Sequence, residues 1–414
     1  MTDLWKLPTP WRWTTMGEIA KVVGGSTPKT GEPRYWGGDI PWITPDDLSG
    51  FVGKYIERGR RNITQAGYDS CSAQMVPAKT VLFTSRAPIG YVAISARPVC
   101  TNQGFKSFVC GPDVKPDYVY WWLKASRDLA ESMASGTTFA ELSGKAAGRV
   151  PIPVPPLDVQ ARIIDLIEEL DSRLDAATAS LRRGRIGLMR YADATLEAAY
   201  QQQLMPGIDH GDRRWPSVSL GSLLSEPLRN GHSAKRSPQG NIRTLTLTAV
   251  TRSDFSEANT KLTDADPTRV TDLWLRPGDI LIERSNTPEL VGTASMYRGP
   301  EDFAIFPDLM IRARLAPGAS PDFVELMIRA PSSRRYFQSR AQGIAGTMPK
   351  VDQRTVGDLP VPLPPRDIQD AIVRTLQEIS SSAKRLETEV SRGLRKAINL
   401  REQVYRSAFR GELV

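Results

Sequence analysis

Val154-Pro155-Pro156-Leu157-Asp158-Val159-Gln160 is answered later in the chain by Leu363-Pro364-Pro365-Arg366-Asp367-Ile368-Gln369. Gln160 and Gln369 lie 209 residues apart in a chain of 414, so the period is about half the molecule. A repeat of that length is a tandem duplication of a whole domain with a helix attached, not a short solenoid unit. It predicts two similar but unequal halves related by an approximate internal two-fold.

After each Pro-Pro pair comes a long proline-free stretch with apolar residues spaced alternately by four and three. The first copy runs Ile163, Ile167, Leu170, Leu174, Ala177, Leu181, Gly184, Leu188, Tyr191, Thr195. The second runs Ile372, Leu376, Ile379, Ala383, Leu386, Val390, Gly393, Ala397, Leu400, Val404. This is a heptad seam, the sequence sign of helices packed along their length. Asp158 and Asp367 stand where an N-cap is expected. Each helix could run about 40 residues, or roughly 60 Å. Pairing of the two helices with each other is favoured, because both apolar seams belong to one chain. Gly184 and Gly393 would allow a close helix crossing or a kink. The ends also match, Ala199-Tyr200 against Ala408-Phe409 and Leu204 against Leu413.

The segments before the helices have another texture. Thr80-Val81-Leu82-Phe83-Thr84, Gly90-Tyr91-Val92-Ala93-Ile94 and Gly278-Asp279-Ile280-Leu281-Ile282 read as short strands in turn-rich domains. Helices are expected from Pro116 to Ser132 and from Pro321 to Arg340. These domains repeat weakly. Pro77-Ala78-Lys79-Thr80-Val81-Leu82 parallels Pro277-Gly278-Asp279-Ile280-Leu281, and Pro88-Ile89-Gly90 parallels Pro288-Glu289-Leu290-Val291-Gly292. Ala134 to Thr138 likewise parallels Ala341 to Thr347. The expected fold is α+β: two tandem-repeated mixed α/β domains, each followed by a long helix, with the two helices pairing as an antiparallel coiled coil. The expected boundaries are 1–156 and 205–365 for the domains, and 157–204 and 366–414 for the helices.

The chain is 40% hydrophobic and 24% charged, ordinary for a soluble globular protein. No apolar run approaches a membrane span and no secretory signal follows Met1, so a cytoplasmic location is expected. Cys71, Cys100 and Cys110 are an odd, sparse set that suits a reducing compartment. Net charge is +8, and residues 1–156 contribute 18 basic against 13 acidic side chains. That balance permits nucleic-acid binding without requiring it. Motifs for chemistry are missing. The two histidines, His210 and His232, have no catalytic or zinc-binding context, and no phosphate-binding loop has the required spacing. Gly24-Gly25-Ser26-Thr27-Pro28-Lys29 reads as a polar loop. A binding role is therefore favoured over catalysis, with no metal site in this chain.

The assembled pattern resembles the DNA specificity (S) subunit of type I restriction–modification systems, over essentially the whole chain. The first domain carries Gly25-Ser26-Thr27-Pro28, Tyr35-Trp36-Gly37-Gly38-Asp39-Ile40-Pro41-Trp42, Asp47-Leu48, Ser85-Arg86-Ala87-Pro88-Ile89-Gly90 and Thr101-Asn102-Gln103-Gly104-Phe105. The second domain departs from it: it has no Tyr-Trp-Gly-Gly block, and Phe306-Pro307-Asp308-Leu309 stands where Thr-Asn-Gln-Gly would. Val159 and Ile368 replace the acidic residue that often precedes the glutamine opening each helix.

The resemblance implies a non-catalytic subunit with two target-recognition domains. It would read a bipartite, asymmetric target in double-stranded DNA and position two adenine-methyltransferase (M) subunits, which motor-nuclease (R) subunits can join. S-adenosylmethionine, ATP and Mg are then expected only on the partner subunits. The candidate DNA-facing residues are Thr27, Lys29, Arg34, Tyr35, Arg86, Asn102, Gln103 and Lys106 in the first domain. In the second they are Arg284, Ser285, Asn286, Arg312, Arg314 and Lys350. Asn102 is equally readable as a turn-former, and Trp36 and Trp42 as core. Arg182, Arg183 and Arg185 form a basic cluster on the first helix, either a solvated face or a partner contact. Two other classes are weighed against this one. A self-contained methyltransferase or nuclease would need a cofactor motif, and a duplicated protein-binding scaffold would show no salt-sensitive affinity for DNA.

Overall fold

The structure, a computed structural model, describes residues 5–86, 88–136, 140–203, 214–343 and 348–413. Ala87, Thr137-Thr138, Leu204, His210 and Ala345-Gly346-Thr347 lie outside the described residues. The chain divides into two compact units, Met1–Leu181 with Ser391–Val414, and Arg182–Val390. These units cut across both long helices instead of following the sequence boundaries. The reason is that each domain holds the start of the helix that follows it and the end of the other.

In the first unit, β1 (Arg12–Thr15) pairs antiparallel with β10 (Pro151–Val154), tying the domain's entry to its exit. Between them a five-stranded sheet has the order β2-β9-β6-β7-β4, built from Ala20–Gly24, Phe105–Cys110, Val81–Ser85, Ile89–Ser95 and Tyr55–Ile56. A smaller sheet sets β3 (Trp36–Ile43) between β5 (Arg61–Ile63) and β8 (Cys100–Thr101). The strand readings at 80–84 and 90–94 fall on β6 and β7. The helix expected over Pro116–Ser132 breaks at Ser126, giving α1 (Pro116–Ala125) and a short helix Arg127–Ser132. The cysteines are free thiols, and burial pushes the pKa of Cys100 up to about 12.

α2 (Leu157–Tyr200) leaves β10 directly. It begins before Asp158, so that residue sits in the first turn, where an acid complements the helix dipole, and not at the N-cap. Within this unit Ile163 and Ile167 share a core with Tyr405, Ala408 and Phe409 from the end of the last helix. Arg401 bonds Asp171 at 2.7 Å and Asp175 at 2.5 Å, and the Tyr405 hydroxyl donates to Asp171 at 2.7 Å. Partners that advance along one helix recede along the other, so the helices run antiparallel. Lys54 pairs with Asp117 of α1 and, at 2.5 Å, with Glu168 of α2. The Trp121 indole adds a donor to Glu168 at 3.3 Å.

The second unit repeats this plan with shorter strands. β11 (Ser217–Ser219) pairs antiparallel with β18 (Pro360–Pro362). The main sheet has the order β12-β17-β15-β16, from Arg229–Asn230, Met310–Ala313, Ile280–Glu283 and Ala294–Met296. β13 (Ile242–Leu245) pairs with β14 (Thr260–Thr263). The helix expected over Pro321–Arg340 is two, α3 (Pro321–Arg329) and α4 (Pro331–Arg340), because Pro331 cannot continue the first. α5 (Arg366–Arg410) follows β18, and Asp367 also lies in its first turn. The end of α2 docks here through Glu197, which accepts from the Ser332 N–H at 2.8 Å and from Arg335 at 2.6 Å. Burial works against its charge, but the Ser332 hydroxyl and N–H hold its carboxyl below the ordinary range.

The repeated glutamine has the same task twice. Gln160 is fully buried; its amide donates to the carbonyls of Asp113 and Pro155 and accepts the Lys115 N–H at 2.9 Å. Gln369 donates to the Pro364 carbonyl at 2.8 Å and accepts the Ser320 N–H at 3.1 Å. Each stitches the start of a long helix to the residue preceding α1 or α3.

The seam is buried only near the domains. Ile163, Ile167, Ile372 and Leu376 are buried, while Leu170, Leu174, Leu181, Ile379 and Val390 are half-buried. Leu386 is 48% exposed, against its assignment to the seam. Gly393 meets a Leu181 methyl, which would be 3.1 Å from an added Cβ, whereas nothing lies within 4 Å at Gly184. Close approach is therefore a property of Gly393 and not of Gly184.

Candidate nucleic-acid interface

In the first unit, three loops converge beyond the strand ends. The Ser26 N–H donates to the Thr101 carbonyl at 2.9 Å, and the Ser85 N–H to the Gly104 carbonyl at 2.7 Å. Gly25 lies so close to this turn that a Cβ would stand 2.0 Å from the Asn102 carbonyl oxygen, so glycine is required. Above the backbone contact, the Thr27 hydroxyl bonds the exposed Gln103 side chain. Asn102 uses its Oδ1 to accept the Gly104 N–H at 2.9 Å, which is the turn-forming role. The Trp42 indole donates to the Ser26 carbonyl at 2.9 Å, and Trp42 is buried core.

Arginines edge these loops. A shallow depression beside Trp36-Gly37-Gly38 is lined by Arg58, Arg60 and Arg61. A second is lined by Arg60, Arg61, Arg86 and Asn102 together with Trp42, Asp46 and Asp47. The Arg61 guanidinium stacks 3.7 Å from the Trp36 ring centre, which fixes its direction. Arg60 is steered by Asp47, whose Oδ1 accepts its N–H at 2.9 Å and its Nε at 3.2 Å. Burial opposes the Asp47 charge, but these bonds and those from Thr44 hold its carboxyl below the usual range.

The candidates from the sequence divide accordingly. Thr27, Gln103, Asn102 and Arg86 come together at the converging loops. Lys29 and Arg34 are exposed, and Tyr35 is half-buried, with Arg34 stacked on it at 5.2 Å and paired with Glu32 at 3.4 Å. Lys106 is mostly covered and shares Glu141 with Arg86, at 3.4 and 3.6 Å, so it braces the site from below. Arg58, Arg60 and Arg61 were not among the candidates, although Arg58-Gly59-Arg60-Arg61 is a visible basic run in the sequence.

The second unit has the same cradle from different residues. The His232 N–H donates to the Phe306 carbonyl at 2.9 Å, as Ser26 does to Thr101, and the Arg284 N–H to Leu309 at 2.9 Å, as Ser85 does to Gly104. A Cβ on Gly231 would stand 2.2 Å from the Phe306 carbonyl oxygen. The Ser233 hydroxyl bonds the exposed Asp308 carboxylate, as Thr27 bonds Gln103. Phe306-Pro307-Asp308-Leu309 thus occupies the place of Thr101-Asn102-Gln103-Gly104. Gly240 has a β14 carbonyl 2.1 Å from its Cβ position, as Gly38 has a β5 carbonyl at 2.6 Å. Ser237-Pro238-Gln239-Gly240 therefore stands where Tyr-Trp-Gly-Gly stands in the first unit.

Most second-domain candidates are corrected. Arg312 is 2% exposed, on a central strand, and bonds Glu226 at 2.7 Å and the Trp274 carbonyl at 3.2 Å. Arg314 makes a two-bond fork to the buried Asp279, at 2.7 and 2.8 Å. Asn286 is buried and donates to Glu283 at 2.5 Å, while its Oδ1 accepts the Thr287 N–H. Burial raises the Glu283 carboxyl pKa, and its bonds from Thr251 and Asn286 only partly oppose this. Ser285 is buried, and Arg284 is half-buried with a buried Nε. Arg312, Arg314 and Asn286 are structural groups, because a charged or amide side chain inside the domain must be paired and the pairing occupies it, whereas the Ser285 hydroxyl and the Arg284 Nε are buried without a hydrogen-bond partner among the described residues. Lys350 alone of the six is exposed, bridged by its backbone to Gln342 and Ser285. The residues missed are His232, Ser233 and Asp308.

Two repeated α/β domains with long helices, each domain with a loop cradle and the first with arginines beside it, define the class of fold. Residues 8–182 match the family model described as the type I restriction modification DNA specificity domain. The chain is 42% identical over 176 residues to the MjaIX specificity subunit of Methanocaldococcus jannaschii, covering 42% of this chain and 41% of that protein. It is 25% identical over 427 residues to the EcoKI specificity subunit of Escherichia coli K12, covering 99% and 90%. A chain from a structure of complex assembly in the type I R-M system superposes with a TM-score of 0.77 at 19% identity, covering 99% of this chain and 100% of that one. The HsdS subunit of Thermoanaerobacter tengcongensis gives a TM-score of 0.61 at 18% identity, covering 99% of each chain.

Residues 8–182 thus carry a type I restriction modification DNA specificity domain, and the chain as a whole is similar to type I specificity subunits. No described helix is long and apolar enough to cross a membrane.

Proposed function

We propose that this chain reads a bipartite, asymmetric DNA target, one half-site per domain, and holds two adenine-methyltransferase subunits over it. The observation that carries this reading is the loop cradle found twice, with Thr27 and Gln103 in one copy and Ser233 and Asp308 in the other. The backbone is the same and the presented chemistry differs, so the half-sites differ. The paired helices act as the ruler between half-sites and as the surface on which methyltransferase and motor-nuclease subunits assemble. S-adenosylmethionine, ATP and Mg belong to those partners.

The test is single-molecule methylation mapping of plasmid DNA after co-expression with a methyltransferase partner subunit, compared with that partner alone. An N6-methyladenine motif with two unequal half-sites and a fixed gap, seen only with this chain, is the expected result. No new motif from a soluble complex would overturn the reading.

The arginine ring gives a second expectation. Replacing Arg58, Arg60 and Arg61 together by alanine should weaken DNA binding by the complex uniformly across sequences. The slope of log affinity against log salt should fall by about 1 for each phosphate that is no longer neutralised. Titrations at several salt concentrations measure it; an unchanged slope would place the arginines away from the backbone.

A further inference from the structure

The second domain presents a carboxylate where the first presents an amide. Asp308 is exposed at the tip of the turn that ends at β17, and Ser233 donates its hydroxyl to Oδ1. No lysine or arginine among the described residues forms an ion pair with Asp308, and its Oδ2 has no hydrogen bond there. A carboxylate facing DNA is repelled by every phosphate near it. It is tolerated where it accepts a hydrogen bond from a base, and the major-groove donors are cytosine N4–H and adenine N6–H. Guanine O6 and N7 and thymine O4 are acceptors and would repel it. Gln103, at the equivalent place, offers both a donor and an acceptor and is not restricted in this way.

We propose that Asp308 is a specificity-determining residue that accepts a hydrogen bond from the exocyclic amino group of cytosine or adenine in the half-site read by the second domain. This rests on the DNA-reading function proposed above. Ser233 is its positioning residue: by occupying Oδ1 it leaves Oδ2 to the base. Lys235 and Arg236, exposed in the segment after Ser233, supply the positive charge that brings the phosphate backbone to this loop.

The experiment maps methylated motifs for the wild-type complex, D308N and S233A, with complex yield measured for each. D308N is nearly isosteric and exposed, and S233A leaves the carboxylate in place. The wild-type motif should demand one particular base pair at one position of one half-site, its cytosine or adenine supplying the amino group. D308N should lower discrimination there by at least about fivefold, the low end for one base contact. S233A should lower it at the same position by less, and the other half-site should not change. Unaltered preferences in both variants would overturn the proposal, as would weakening spread evenly over all positions. If the wild-type complex itself gives no bipartite motif, the DNA-reading function falls and this inference with it. A bipartite wild-type motif unmoved by D308N removes this inference alone.

Discussion

Replacing Phe409 by alanine should cost the first unit about 3–5 kcal/mol of stability, the range for deleting a large buried ring. Phe409 is 1% exposed, and its ring meets those of Tyr118 at 5.2 Å and Trp122 at 5.1 Å, both edge-on. It lies near the end of α5 but fills the core under α1. Its removal therefore forfeits the ring's transfer energy and its edge-on packing, and leaves a cavity. Denaturant unfolding of the complex, followed by tryptophan fluorescence, measures it, since Trp121 and Trp122 lie in the same core. The first unit should unfold at lower denaturant and the second at its original midpoint. An unchanged midpoint for both would mean that the end of α5 does not hold the first domain in solution. Tyr200 is its repeat counterpart and is only half-buried, with its hydroxyl donating to the Pro360 carbonyl at 2.7 Å, so the same truncation there should cost less.

Gly25→Ala should abolish readout of one half-site while leaving the other domain folded. The new Cβ would stand 2.0 Å from the Asn102 carbonyl oxygen and 2.3 Å from that of Thr101, both backbone atoms that cannot swing aside. The Ser26–Thr101 bond must break and the Thr27–Gln103 pair must separate. A displacement of about 1 Å at a positioned site can cost on the order of a hundredfold in rate, and methylation of the intact target should fall by about that much. Methylation rates with oligonucleotides altered in one half-site at a time give the check. Loss of discrimination confined to one half-site is expected, whereas wild-type discrimination would place the loop outside the interface. Gly231→Ala should act in the same way on the other half-site, because the Phe306 carbonyl oxygen lies 2.2 Å from its Cβ position.

How far the sequence could be read depended on where the information was local. The 209-residue repeat, the helix starts at Leu157 and Arg366 and the strands around Val81, Ile89 and Ile280 were legible, since spacing, proline and turn chemistry act over a few residues. The loops that pack together in the first domain are local in the same way, short motifs such as Gly25-Ser26-Thr27-Pro28 and Thr101-Asn102-Gln103-Gly104. In the second domain the candidates Arg284, Ser285, Asn286, Arg312, Arg314 and Lys350 belong to no such motif. Arg312 is buried and Arg314 half-buried, and they pair with Glu226 and Asp279. Whether an arginine on a strand faces solvent or a buried acid depends on residues 35 and 86 positions away, as Asp279 and Glu226 are here. Spacing along one segment carries no such information. Asp308 was overlooked because an acid is not an obvious DNA contact, and its equivalence to Gln103 rests on backbone bonds between distant loops.

The sequence by itself determined the duplication, the two domains with their long helices and the residues that begin each helix, including the paired glutamines. These follow from periodicity and chain-local geometry. The tertiary structure decided which end of each helix is held by which domain, where the heptad seam is buried and which polar side chains remain at the surface. Those depend on antiparallel packing, which sets Asp171 beside Tyr405, and on pairing across the sheet, which buries Arg312 while leaving Asp308 at the surface.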